Sequence, residues 1–310
     1  METTKKEKAF TYSILALSAR KQPIGAEGCI LAINPNDGTH AIFLDLNGQT
    51  PDGIAVDGKN KRVYWTHMGK LTGGENAYDN DGSISSIKFD GSDRRVVVKT
   101  GKTFTPKQMT LDVENNAVYW SDREGMRVMC CDLDGGNLTV LVQTGSADED
   151  RKDANNHCVG IAVDAAAGYF YWTQKGPAKG GTGRILRAGI HMPAGETATD
   201  RKDIEVLFDH LPEPIDLEID ALNGYLYWTD RGAGPWGNTV NRAKLDTIGK
   251  STPEVIGSGH QEIIGLAIAP DHKSVFTADL GGTLRNFNIE TGEEKVIFTT
   301  KGMMTGIAIF

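Results

Sequence analysis

The dipeptide Tyr-Trp occurs four times in this chain, each time followed by a hydroxyl residue or its replacement in kind. The copies are Val63-Tyr64-Trp65-Thr66, Val118-Tyr119-Trp120-Ser121-Asp122, Phe170-Tyr171-Trp172-Thr173 and Leu226-Tyr227-Trp228-Thr229-Asp230. A degenerate fifth copy reads Val275-Phe276-Thr277-Ala278-Asp279. Self-similarity at a period of ~50 residues means that each unit is one supersecondary motif, which buries its apolar faces only by stacking on its neighbours.

A short alternating apolar run precedes each copy: Gly53-Ile54-Ala55-Val56-Asp57, Thr110-Leu111-Asp112-Val113-Glu114, Gly160-Ile161-Ala162-Val163-Asp164, Asp216-Leu217-Glu218-Ile219-Asp220 and Gly265-Leu266-Ala267-Ile268-Ala269. A sixth run, Gly306-Ile307-Ala308-Ile309-Phe310, has no Tyr-Trp after it. A third and a fourth run follow each copy, such as Gly82-Ser83-Ile84-Ser85-Ser86-Ile87 and then Arg95-Val96-Val97-Val98. All are short, rich in β-branched residues and bounded by Gly, Asp or Asn, which predicts strands. Four strands per ~50 residues make a propeller blade. Near the N-terminus, residues 10–17, 28–34 and 41–44 read as strands two, three and four of a blade that the sixth run completes. The expected fold is therefore all-β: a six-bladed propeller, four antiparallel strands per blade, closed by pairing the C-terminal strand with the N-terminal ones, which hides the sheet edges.

The 310 residues form one expected domain, 1–310, because no Pro- or Ser-rich linker interrupts the repeats; residues 1–9 read as a disordered tail. A net charge of −8 without a basic stripe argues against nucleic acid and anionic membrane surfaces as partners. No apolar run is long enough for a membrane span or a signal-peptide core. Cys29, Cys130, Cys131 and Cys158 offer neither a disulfide framework nor a zinc spacing, so buried free thiols and a cytoplasmic location are expected.

These repeats resemble the YWTD class of β-propellers, the six-bladed module of the low-density-lipoprotein receptor family, over nearly the whole length. The receptor modules carry secretion signals and cysteine-rich flanks, and this sequence shows neither; His67 and Gln174 stand where the motif has Asp. A stand-alone propeller is the better match. The chain in that respect resembles fungal biosynthetic-cluster propellers, some of which catalyse hetero-Diels–Alder couplings in tropolonic sesquiterpenoid pathways.

Within a propeller, the two-to-three loops and the connections to the next blade share one face. Here that face carries the long insertions 68–81, 175–182, 231–238 and 146–156, whereas the one-to-two turns are short. An exception, 192–203, extends the opposite face as a surface loop. Binding groups on rigid scaffolds gather on such loops, which places a pocket at the channel mouth on the long-loop side. Strand one opens at that mouth with Asp52, Gln108, His157, Asp216, Ile264 and Met304; strand two ends there with His67, Arg123, Lys175 and Arg231. Met68, Phe104 and Trp236 lie on adjoining loops. The repeating Trp residues read as packing and the repeating Asp122 and Asp230 as backbone hydrogen-bond acceptors, with Arg123 and Arg231 as ion-pair partners.

Three activities fit this inventory. The resemblance implies a cofactor-free enzyme that couples a quinone-methide-type polyketide (a tropolone) to a sesquiterpene alkene in a [4+2] reaction. It would take small hydrophobic substrates and need no metal. Holding two apolar reactants together supplies effective molarity. A donor toward the carbonyl oxygen stabilises growing charge, and Arg123, Lys175, Arg231 and His157 are the candidates. Asp52, His67, Met68, Phe104, Gln108, Asp216, Trp236 and Met304 would bind substrate. The second reading is a non-catalytic propeller that binds protein or peptide. The third is a metal-dependent lactonase with oxygens from Asp52, Asn156, Asp216 and Glu218, although Ca²⁺ usually takes six to eight oxygen ligands.

Overall fold

The computed structural model describes residues 13–19, 28–71 and 78–310. Among them, twenty-four strands build six four-stranded antiparallel sheets arranged as propeller blades. Helix is limited to three single 3-10 turns. The innermost strands, which define blades one to six, are Pro51–Asp57, Pro106–Asp112, Cys158–Asp164, Pro214–Asp220, Ile263–Ile268 and Met303–Ile309. The sixth blade closes the ring: Met303–Ile309 pairs with Ile14–Ala19, which is followed by Cys29–Ile33 and His40–Asp45. Ser13 and Phe310 exchange backbone hydrogen bonds at 2.9 and 3.0 Å. The expected second strand at 10–17 thus begins at Ile14; residues 10–12 and the expected tail 1–9 lie outside the described residues.

The Tyr-Trp dipeptide is explained by the two-residue period of a strand. Neighbouring side chains point to opposite faces, so each blade presents Trp to the preceding blade and Tyr to the following one. Trp65 packs with Leu15, Leu17 and Ile30 of blade six. Tyr64 packs with Trp120 of blade two, Tyr119 with Trp172, and Tyr171 with Trp228. All four indoles are at most 1% exposed. Each burial stabilises by roughly 2–3 kcal/mol on area grounds. In blade five Thr277 replaces the Trp, and Phe287 of the third strand fills the gap against Tyr227.

The residue after the Trp stitches blades together. Thr173 Oγ1 accepts from Gly160 N–H at 2.7 Å and donates to the Ile215 carbonyl of the next blade at 2.9 Å. Thr229 likewise donates to Ile264 at 2.8 Å, and Ser121 to Gly160 at 2.8 Å. The repeat Asp accepts backbone N–H groups from the segment entering its own blade: Asp122 from Phe104 and Thr105, Asp230 from Glu213.

Two expectations are corrected. In blade two, the register read from Thr110-Leu111 is two residues late: Met109, not Leu111, pairs with Trp120, as Ile54 pairs with Trp65. Pro106 therefore matches Pro51, and Lys107 matches Asp52. The insertion 192–203 is also tied down rather than a plain surface loop. Its Arg201 is buried, pairs with Asp203 at 2.7 Å and donates to the Leu141 carbonyl of blade two at 3.0 Å. The four cysteines are free thiols, and burial pushes Cys131 and Cys158 up to about 12.

Candidate functional site

The channel narrows at the long-loop end because the inner strands approach backbone to backbone. A Cβ on Gly53 would lie 2.4 Å from the Lys107 carbonyl, on Gly160 2.1 Å from Ile215, and on Gly265 2.2 Å from Thr305. Only glycine fits there without displacing backbone. Blades two and four carry Gln108 and Asp216 at this level instead. Gln108 Nε2 donates to Asp52 Oδ2 at 3.1 Å. Asp216 accepts from the Leu266 and Leu217 N–H groups at 3.0 and 2.9 Å. Both side chains therefore bridge strands rather than face the mouth. Burial, with Glu218 as a second cause, pushes the Asp216 carboxyl well above its usual range.

One level up, inner-strand residues Asp52, Lys107, Val159, Ile215 and Ile264 ring the mouth, joined by Arg123, Lys175 and Arg231 from the ends of strand two in blades two, three and four. The apolar floor is Val159, Ile215 and Ile264, with Leu280 packed beside them. The cations are already held. Lys107 Nζ lies 2.6 Å from Asp52 Oδ1 and 3.0 Å from Met68 Sδ. Arg123 Nε lies 2.7 Å from Glu124 Oε1. Glu213 clamps two cations, Lys175 at 3.1 Å and Arg231 at 2.8 Å, while Lys179 N–H donates to its other oxygen at 3.1 Å. More exposed, Glu262 reaches Arg231 at 3.7 Å.

Electrostatics follow from this burial. Desolvation pulls the Lys107 and Lys175 ammonium groups below their ordinary value, against the opposing pull of Asp52 and Glu213. Burial acts to raise Glu213 and Glu124, but the neighbouring cations prevail and hold both below the ordinary glutamate value. The enclosed space between these side chains is about 20 Å³, room for one water molecule.

The structure thus brings together Asp52, Met68, Arg123, Lys175 and Arg231 of the expected set. The others stand elsewhere. His157 is buried behind the rim, where Nε2 meets the Arg151 carbonyl at 2.8 Å; desolvation lowers its pKa, favouring the neutral ring. His67 does the work of the missing repeat Asp: its Nδ1 accepts from Thr50 N–H at 2.9 Å. Phe104 carries the Arg151 guanidinium 3.9 Å above its ring. Met304 is fully buried in the cluster between blades five and six. Trp236 is 65% exposed. Lys107, Glu124 and Glu213 were missed. Correct alignment of Pro106 on Pro51 would have exposed Lys107. Nothing in the repeat marks the two glutamates.

Among the described residues, no group of three or more His, Cys, Asp or Glu is placed to share a metal ion. Of the four residues weighed for a lactonase metal, Asp52 is paired with Lys107, Asp216 accepts from backbone amides, Asn156 donates its amide N–H to the Asp150 carbonyl, and Glu218 lines a separate cavity. No described helix is long and apolar enough to cross a membrane.

No family profile matches the chain. It is 39% identical over 293 residues to "Low-density lipoprotein receptor-related protein 1" of Pyricularia oryzae, covering 91% of this chain and 92% of that protein. It is 41% identical over 272 residues to "3-hydroxyacyl-CoA dehydrogenase-like protein LAM1" of Cochliobolus heterostrophus, covering 84% of this chain but only 56% of that longer relative. Among solved structures, a chain of a nidogen/laminin complex superposes with a TM-score of 0.72 at 19% identity, covering 96% of this chain and 98% of that one. TolB from Acinetobacter baumannii gives 0.67 at 12%, covering 96% and 66%. Likeness at these identities is likeness of fold.

Proposed function

The chain belongs to the family of the Pyricularia oryzae low-density lipoprotein receptor-related protein 1, six-bladed propellers of the YWTD type, and from that premise we propose that its channel mouth is a small-molecule site. The ligand is apolar and carries an electron-rich oxygen. The observation that supports this reading is four cations, Lys107, Arg123, Lys175 and Arg231, converging over a floor of Val159, Ile215 and Ile264. Apolar surface would hold the ligand body, and the cationic donors would meet its oxygen.

In its finest form the proposal is cofactor-free hetero-Diels–Alder coupling in a reducing, cytoplasmic setting. The carbonyl oxygen and exocyclic carbon of a quinone methide each bond to one carbon of an alkene. One C–O and one C–C σ bond form as the carbonyl, exocyclic and alkene π bonds are consumed and one ring π bond is gained, and no proton or electron leaves the pair. The protein contributes orientation, which supplies effective molarity, and donors aimed at the oxygen where charge grows. Two reactants exceed the space for one water, so entry requires Lys175 and Arg231 to swing off Glu213.

The experiment is direct. An o-quinone methide generated in situ is mixed with a medium-ring trisubstituted alkene, and adducts are resolved by chiral chromatography. Acceleration with one dominant stereoisomer is expected, and Arg231→Gln should reduce it on the order of 10²-fold, the usual consequence of removing such a donor. Stereorandom adducts at the rate without protein would overturn the reading. Trp236, exposed on the loop that follows Arg231, favours a second reading, docking of a peptide on the long-loop face. Thermal shift separates the two: terpenoid and polyketide ligands stabilise a small-molecule site, peptide pools a docking face.

A further inference from the structure

The opposite half of the channel holds a second cavity. It measures about 250 Å³ and is lined by Ile54, Val56, Met109, Leu111, Ile268 and Ile309, with further small residues between them and Pro270 at the turn end. Its origin lies in one register position. The residue paired with the Tyr of strand two is Ala55 in blade one, Thr110 in blade two and Ala162 in blade three, and at the same level Ala267 pairs with Phe276 in blade five and Ala308 with Leu15 in blade six. Four of these small side chains, Ala55, Thr110, Ala267 and Ala308, line the space and leave it open. In blade four the same position is Glu218, paired with Tyr227, and its side chain lines the cavity.

This glutamate is out of keeping with its surroundings. The walls are aliphatic, and no cation among the described residues acts on its carboxyl; burial is the one influence that shifts it, up to about 7. The nearest acid along the strand, Asp216, is already engaged by two backbone N–H groups. The residue is half-buried, and a carboxylate drawn partly out of water gains from a second charge or a hydrogen bond that compensates the lost hydration. Nothing in the packing of the propeller requires a carboxylate here, since Ala or Thr serves in five blades.

We propose that this lower cavity is a binding site for a compact organic ammonium ion, with the apolar body against the aliphatic walls and the protonated amine on Glu218. The site is separate from the mouth and independent of the function proposed for it. Hydrophobic cavities with one well-placed polar group are the common form of small-ligand sites, and the missing counter-charge defines the ligand's sign.

The test uses the full chain at pH 8, with cyclohexylammonium as probe and cyclohexanol as its neutral isostere, followed by amide chemical shifts. Wild type should bind the ammonium at least tenfold more tightly than the alcohol, with shifts at Ile54–Val56, Met109–Leu111 and Ile307–Ile309. Glu218→Gln should abolish that preference, and Ala267→Leu should fill the space and weaken both probes. Equal binding of the ammonium by Glu218→Gln and wild type would overturn the proposal. So would shifts centred on Lys107 and Arg231, or no binding of either probe to wild type.

Discussion

Single side chains in this ring carry two roles that the repeat does not predict. Glu213 is the sole described carboxylate that bridges Lys175 and Arg231, so Glu213→Gln leaves two buried cations without their shared partner, at a cost of about 3 kcal/mol. The Glu213 pKa is lowered on folding. Its stabilisation is therefore present above the ordinary 4.5 of a glutamate and fades as pH falls through the lower folded value. Denaturant melts of wild type and variant should converge at acid pH; a constant gap down to pH 2 would refute the clamp. Glu218 has the opposite sign. Its folded value near 7 exceeds 4.5, so its contribution is complete below 4.5 and is lost as pH rises through 7. Glu218→Gln should gain on the order of 2 kcal/mol relative to wild type between pH 5 and 8, and a parallel pair of stability curves would contradict this. His67→Ala should cost about 1 kcal/mol by stranding the Thr50 N–H, whereas His67→Asp should restore the repeat's own acceptor and the melting temperature with it.

At the level of the strand, the close approach of inner strands sets what each register position tolerates. Gly160→Ala would place a methyl 2.1 Å from the Ile215 carbonyl. The expected loss is about 1–3 kcal/mol, the range for forcing atoms into a packed interior, and an unchanged urea midpoint would show that the blades can spread. The register also explains why blade two was misread. Thr110-Leu111-Asp112-Val113-Glu114 alternates as well as its true counterpart does, because a period-2 pattern looks the same after a shift of two. Only pairing with Trp120 distinguishes them, and that pairing spans a turn. The shifted register hid Lys107, the residue that matches Asp52.

For the molecule as a whole, closure is the main structural commitment. Deleting residues 306–310 removes most of the strand paired with Ile14–Ala19 and opens the ring between blades six and five and six and one. The transition should shift to much lower temperature and lose cooperativity; a truncated chain melting like wild type would overturn the closed-ring account. Blade count, strand order and the packing role of the Trp residues were legible in the sequence, because each depends on local alternation repeated at a fixed interval. The site was legible only in part. Arg123, Lys175 and Arg231 announce themselves by following the repeat motif, but their partners Glu124 and Glu213 sit in segments the repeat does not constrain. The chain by itself determined a six-bladed ring and which end bears the long loops, since these follow from short-range pattern. Only the tertiary structure decided that the mouth is latched by ion pairs with space for one water, and that four small residues leave a glutamate beside an open cavity at the other end, since those facts depend on side chains from different blades meeting across the axis.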